Sequence, residues 1–263
     1  PYELNIGGQR FNCTAVSSPT ASFRAVGAVS HANNASTTPG LPAGVAATDV
    51  LVLVSAIRNQ GAGSPDTPAG WTKRVDLGNV IVCTAPGTAS APTCTYTGGV
   101  AGADTTAQIA AFIGCSEILD AAADLLNPSA QDIAYPALRT NRDGCVVIWL
   151  GWKQDDWTSV ATIAGAAEIA EPDTTTGGDQ GIVWDYLVQT AGVRVPSGAF
   201  AVTGGGAAIS RGCVFALAPA AQTLTTTQPL SRTYSYLGRP TLLDLMSITT
   251  APLAPCWTAE SLF

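Results

Sequence analysis

The residues whose types and spacing could do chemistry cluster in WKQDDWT, where Trp152 and Trp157 bracket Asp155 and Asp156. Glu168, Glu171 and Asp173 follow within the next loop-like stretch. Carboxylates flanked by indoles suit a sugar-binding cleft, and a pair of carboxylates is what glycoside hydrolysis requires. Against catalysis, neighbouring aspartates in a loop commonly cap backbone turns, and adjacent strand positions face opposite sides of a sheet. Trp152, Asp155, Asp156 and Trp157 are therefore candidate ligand-binding residues, with a surface glycan as the ligand they would suit.

Other chemistries lack their parts. Ser-His-Asp or Cys-His catalysis needs a histidine base, and the sole histidine, His31 in VSHANNAS, reads as a polar turn residue. No Gly-x-Ser-x-Gly elbow is present. EPDTTTGGDQG (171–181) offers calcium-type oxygens without the EF-hand spacing, and TGGGAAISRG lacks both a phosphate-loop lysine and the Rossmann glycine pattern. The expectation is a protein without catalytic residues, bound metal or cofactor.

Seven cysteines stand at 13, 83, 94, 115, 145, 213 and 256, an odd number with no Cys-x-x-Cys pair. Cys83 and Cys94 flank TAPGTASAPT and could face each other across a hairpin, within disulfide reach in the right register. Cys145 and Cys213 lie in apolar runs and read as buried hydrophobes. Cys13 and Cys256 fall in the terminal segments, where they are candidates for links between subunits.

The bulk numbers narrow the class. The 263 residues carry a formal net charge of −7, and only 12% are charged while 46% are hydrophobic. Such a chain folds rather than staying disordered. With twelve Lys and Arg spread thinly, it lacks the basic patch that nucleic-acid binding needs. No apolar run has the length of a membrane-spanning helix, and PYELNIGGQRF has no signal-peptide character. Starting at Pro1 fits loss of an initiator methionine and synthesis in a cytoplasm. Asn12-Cys13-Thr14 and Asn34-Ala35-Ser36 match glycosylation sequons, which carry meaning only on a secretory route.

The elements that must position these residues read as strands. DVLVLVSAI (49–57), GNVIVCTA (78–85), TTAQIAAFIG (105–114), GCVVIWLGW (144–152), GIVWDYLVQT (181–190) and GCVFALAP (212–219) are apolar or alternating runs bounded by turn residues. FRAVGAVS, TCTYT and GAFAVTGG add shorter runs. The alternation in GIVWDYLVQT predicts one solvent-facing side, and SEILDAAADLLN (116–127) predicts a short helical turn capped by Ser116. The pattern predicts an all-β fold, an antiparallel β-sandwich of jelly-roll type with extended N- and C-terminal arms.

The core domain spans 21–219, with an N-terminal arm at 1–20 and a C-terminal linker and arm at 220–263. The C-terminal arm carries Leu242, Leu243, Leu245, Met246, Trp257 and Phe263, an apolar set suited to packing on a neighbouring subunit. No fixed-period repeat is present, although each half holds an apolar strand followed by a Trp-bearing loop. In SPDTPAGWTKRV, prolines stiffen a loop and Gly70 permits a turn, so Trp71 should cover one end of the sandwich core.

The order DVLVLVSAI, TPAGWTKR, VIVCTA, TTAQIAAFIGCSEILDAA, RDGCVVIWLGW and GCVFALAP, over about 40–219, resembles a loosely defined group of β-sandwich proteins encoded in tailed-phage structural modules. These are usually labelled virion, minor tail or decoration proteins. The chain departs from that group in having Thr48-Asp49 where Gly-Asp is commoner, and in its many cysteines. The resemblance implies a non-enzymatic virion protein: capsid decoration, collar, tail accessory or fibre component. It implies synthesis in a host bacterial cytoplasm and residence in the virion. Its partners would be other virion proteins and copies of itself, as a homo-oligomer. A carbohydrate-binding adhesin using exposed tryptophans is the alternative.

Overall fold

The computed structural model describes residues 2–6, 9–17, 20–33, 35–58, 63–98, 103–175, 178–189, 194–221 and 223–226. Among these there is no helix. The principal strands are β1 (Tyr2–Ile6), β2 (Gln9–Ser17), β3 (Ser22–Val26), β4 (Ser30–Asn33), β5 (Val50–Ile57), β6 (Thr72–Asp76), β7 (Val80–Pro86) and β8 (Asp104–Ile113). They continue with β9 (Cys115–Ala130), β10 (Val146–Lys153), β11 (Ala167–Ala170), β12 (Asp173–Thr174), β13 (Gln180–Val188), β14 (Ala208–Pro219) and β15 (Thr223–Thr226). Residues 20–219 form one compact unit, and the described residues before and after them form another.

The larger unit is the expected antiparallel β-sandwich. One sheet has the order β3-β8-β5-β7-β6 with β4 also on β8, and the other has β9-β14-β10-β13-β11 with β12 also on β13. Val50, Val52 and Val54 of the first sheet share an interior with Ile148, Leu150 and Trp152 of the second. Period-two alternation then sends Leu51, Leu53, Val147 and Trp149 to the outer faces, where water would be expected. Those faces are covered as well. Trp71 and Cys94 pack over Leu51, Leu53 and Ile81, while Ile133, Tyr135, Phe200 and Trp157 pack over Val147, Trp149 and Val214. Every residue of β5 and β10 is therefore buried, which explains why both runs are apolar without alternation.

Three expectations change here. β13 is buried along residues 180–185 on both faces, because the covering segments close the side that its alternation assigned to solvent. The 116–127 stretch is part of the long strand β9, since pairing with β14 outweighs the modest helix preference of its alanines and leucines. Trp71 lies in the outer cluster rather than at one end of the interior between the sheets.

Each sheet comes from one contiguous half of the chain, and the two halves share one connectivity. In both, the first strand pairs with the last, the last with the second, the second with the fourth and the fourth with the third. The irregularities coincide too. Trp71 N–H donates to Pro68 O (3.1 Å) across Gly70 at φ 80°, and Ala166 N–H donates to Ile163 O (2.9 Å) across Gly165 at φ 83°. Both are turns whose third position requires a left-handed residue, the type II requirement. Each turn leads into a strand with a bulge at the same place, between Lys73 and Val75 and between Glu168 and Ala170. The first strands bulge at Arg24 and Asp120, and both bulged side chains form ion pairs to the entry of the second strand. Arg24 Nη2 meets Asp49 Oδ1 at 3.0 Å, and Asp120 Oδ1 meets Arg142 Nε at 3.5 Å, with the charges exchanged. The internal echo that the sequence carries only faintly is a backbone repeat.

The second unit is a small sheet of order β1-β2-β15, in which Cys13 sits opposite Tyr2 on one side and Thr226 on the other. Both chain ends contribute to it. Cys256 and the arm residues Leu242, Leu243, Leu245, Met246, Trp257 and Phe263 lie outside the described residues.

Candidate functional site

The WKQDDWT stretch leaves the end of β10 and divides between interior and surface. Trp152 is fully buried, and its indole N–H donates to Gln180 Oε1 at 2.8 Å. Trp157 is 7% exposed and lies against Gly181, where an added Cβ would stand 2.3 Å from the ring. Neither indole presents a face on which a sugar could stack. Alternation explains the difference from the expectation: Trp152 faces between the sheets, and Trp157 folds back over the outer face of β13.

The aspartates remain half-buried and acquire a partner that local spacing did not indicate. Carboxylate oxygens of Asp155, Asp156 and Asp179 lie within 4.8 Å of one another. Asp179 precedes β13 in the 171–181 stretch, and the antiparallel pairing of β10 with β13 brings its loop beside the loop of Asp155 and Asp156. Asp155 Oδ2 accepts the Gly206 N–H and lies 4.0 Å from Lys153 Nζ. The Lys153 side chain is completely buried, and its ammonium makes no hydrogen bond among the described residues. Burial pushes its pKa down, opposed by the charges of Asp155, Asp132 and Asp156. Asp155 and Asp156 of the trio, with Asp132, thus supply counter-charge to a buried lysine, and the three oxygens of the trio are also the set with metal-ligand spacing among the described residues.

The remaining acids are occupied or separate. Glu171 Oε2 accepts the Val160 N–H at 2.7 Å, and Glu168 pairs across the sheet with Asp185. Asp185 is fully buried, accepts the Ile163 N–H at 2.7 Å, and is held up to about 6 by burial. Asp173 lies outside the trio but within electrostatic range of His31.

His31 belongs to a polar chain that joins the two sheets, not to a turn. Its Nδ1 is 2.9 Å from Thr106 Oγ1. Thr106 Oγ1 accepts from Gln180 Nε2 at 2.9 Å, and Gln180 Oε1 in turn accepts from Trp152. A second tie runs from the Trp184 indole N–H to Gln108 Oε1 (3.1 Å), with Gln108 Nε2 donating to Gly27 O (3.2 Å). Burial lowers the pKa of His31, the opposite of what a protonated acid would need. Ser210 sits opposite Lys153 in the β10–β14 register, and both are fully buried. That pair could resemble a serine–lysine dyad, but a substrate has no access to it.

Cys83 and Cys94 share the outer cluster of the first sheet as free, buried thiols, without the disulfide that the hairpin reading allowed. Cys83 is paired with Leu53 and Lys73, whereas Cys94 bridges to Thr37, a segment outside that hairpin. Cys145 and Cys213 are buried as expected, and Cys115 joins them. Comparison with family models, curated proteins and solved structures finds no match to this chain.

Proposed function

We propose that this chain is a non-enzymatic structural subunit of a tailed-phage virion, a decoration, collar or tail accessory protein that assembles through its terminal segments. The observation that carries this reading is the gathering of both chain ends into one small sheet, a unit apart from the sandwich. The burial of Lys153, Ser210 and both WKQDDWT indoles favours this reading over catalysis or sugar stacking. Repeated copies would multiply modest contacts by avidity. Complementation of phage particles with the chain lacking 220–263 tests it. Loss of incorporation with an intact sandwich is the expected result, and normal incorporation refutes assembly through that segment.

A further inference from the structure

β9 is a long strand at the edge of its sheet, and it differs from every other edge. The opposite edge of the first sheet, β6, is short and carries Lys73, Arg74 and Asp76. The strands beyond β13 are shorter still. The position equivalent to β9 in the first sheet is broken into β3 and β4, with Gly27 N–H donating to Ile109 O between them. β9 instead runs 16 residues. Its register against β14 is unbroken from Ala121 to Asn127, and no strand among the described residues pairs with its other side. Ile118, Leu125 and Leu126 on it are 62%, 39% and 48% exposed. The carbonyls of Glu117 and Asp120 are taken by Thr84 and Asn141, but the regular stretch from Ala121 onward, with its apolar side chains, is a template for another strand.

We propose that this edge receives residues 232–239 of a second copy by strand addition. The proposal rests on the reading that the chain assembles through its terminal segments, and it names the receiving surface. Charge selects the occupant. β9 carries Glu117, Asp120 and Asp124; the Asp120 carboxylate is held by Arg142 and Asn141, the Glu117 carbonyl accepts from Thr84 Oγ1 at 3.0 Å, and the carboxylates of Glu117 and Asp124 have no hydrogen bond or ion pair among the described residues. SRTYSYLGRP, beyond β15, carries Arg232 and Arg239, the two basic residues of 220–263, and so has the charge opposite to that of β9. Between the arginines, Thr233, Tyr234 and Tyr236 favour strand, and Pro240 ends the pairing. Main-chain bonds would supply affinity, and the opposite charges would favour this segment over the rest of the arm.

The test uses the full chain. A photo-crosslinking phenylalanine analogue replaces Tyr234 in isotopically heavy protein mixed with light protein, and sedimentation velocity measures self-association. The expected result is heavy-to-light crosslinks from position 234 to the 116–130 peptide. Arg232→Glu with Arg239→Glu should weaken association about tenfold, and adding Glu117→Arg with Asp124→Arg should restore it to within about threefold. Circular dichroism verifies that each variant retains its strands. Crosslinks confined to one copy or to another surface overturn the proposal, as does association indifferent to the four charges. If removal of 227–263 abolishes association while the charge changes do nothing, arm assembly stands and β9 is not its receiver. If that removal changes nothing, both readings fall.

Discussion

Replacing Gln180 with leucine tests how the two sheets are joined. Gln180 is fully buried, takes the Trp152 N–H at 2.8 Å from its own sheet, and donates to Thr106 Oγ1 of the other sheet at 2.9 Å. Leucine fills similar volume and makes neither bond. The stranded indole N–H costs about 1–3 kcal/mol, the lost bond to Thr106 about 1 kcal/mol, and the added apolar burial returns about 1 kcal/mol. Thr106 keeps His31, which limits the damage on the first sheet. The net expectation is a loss of about 2 kcal/mol in urea unfolding followed by far-UV circular dichroism, at unchanged denaturant dependence. Trp152→Phe alone strands the Gln180 oxygen, whereas Trp152→Phe with Gln180→Leu strands neither. The cycle should therefore show a coupling of about 1–2 kcal/mol. A loss below about 0.5 kcal/mol together with strict additivity would refute the claim that this polar chain ties the sheets.

The equivalent turns predict equal penalties: Gly70→Ala and Gly165→Ala meet no atom within 4 Å, so each should cost only the left-handed backbone term, about 1–2 kcal/mol by thermal unfolding. A large inequality between them would argue against one shared turn geometry. Burial holds Asp104 and Asp185 up to about 6 in the folded chain, above the ordinary 3.8. The folded state thus binds more protons than the unfolded state between these values, and the stability from this pair falls as pH rises from about 4 through 6. Asp185→Asn should flatten that decline in a pH series of urea midpoints; an unchanged slope would show that Asp185 titrates normally. Burial pushes Cys83 and Cys213 up to about 12 and Cys94 up to about 11. These thiols should resist an aromatic disulfide reagent at pH 8 until the chain unfolds, and a Cys83–Cys94 disulfide in a non-reducing digest would contradict the structure.

The sequence by itself determined the fold class, because apolar runs bounded by glycine, proline and asparagine admit little but strands. It also marked Cys145 and Cys213 as interior, since each stands inside such a run. It placed the SPDTPAGW turn through Gly70, whose positive φ is a local property. Only the tertiary structure decided which faces are covered. Trp152, Trp157 and β13 looked half-exposed because local alternation does not record the segments that return over the outer faces from 133–139 and 194–200. The same limit hid Asp179 as the partner of Asp155 and Asp156, and Thr106 as the partner of His31, contacts that exist only after distant strands align. The repeat was hidden for a further reason. Pro68-Ala69-Gly70-Trp71 and Ile163-Ala164-Gly165-Ala166 share a backbone but few side chains, and Arg24–Asp49 has its charges exchanged in Asp120–Arg142. A turn needs its glycine and an ion pair needs opposite signs, so geometry persists where residue identity does not.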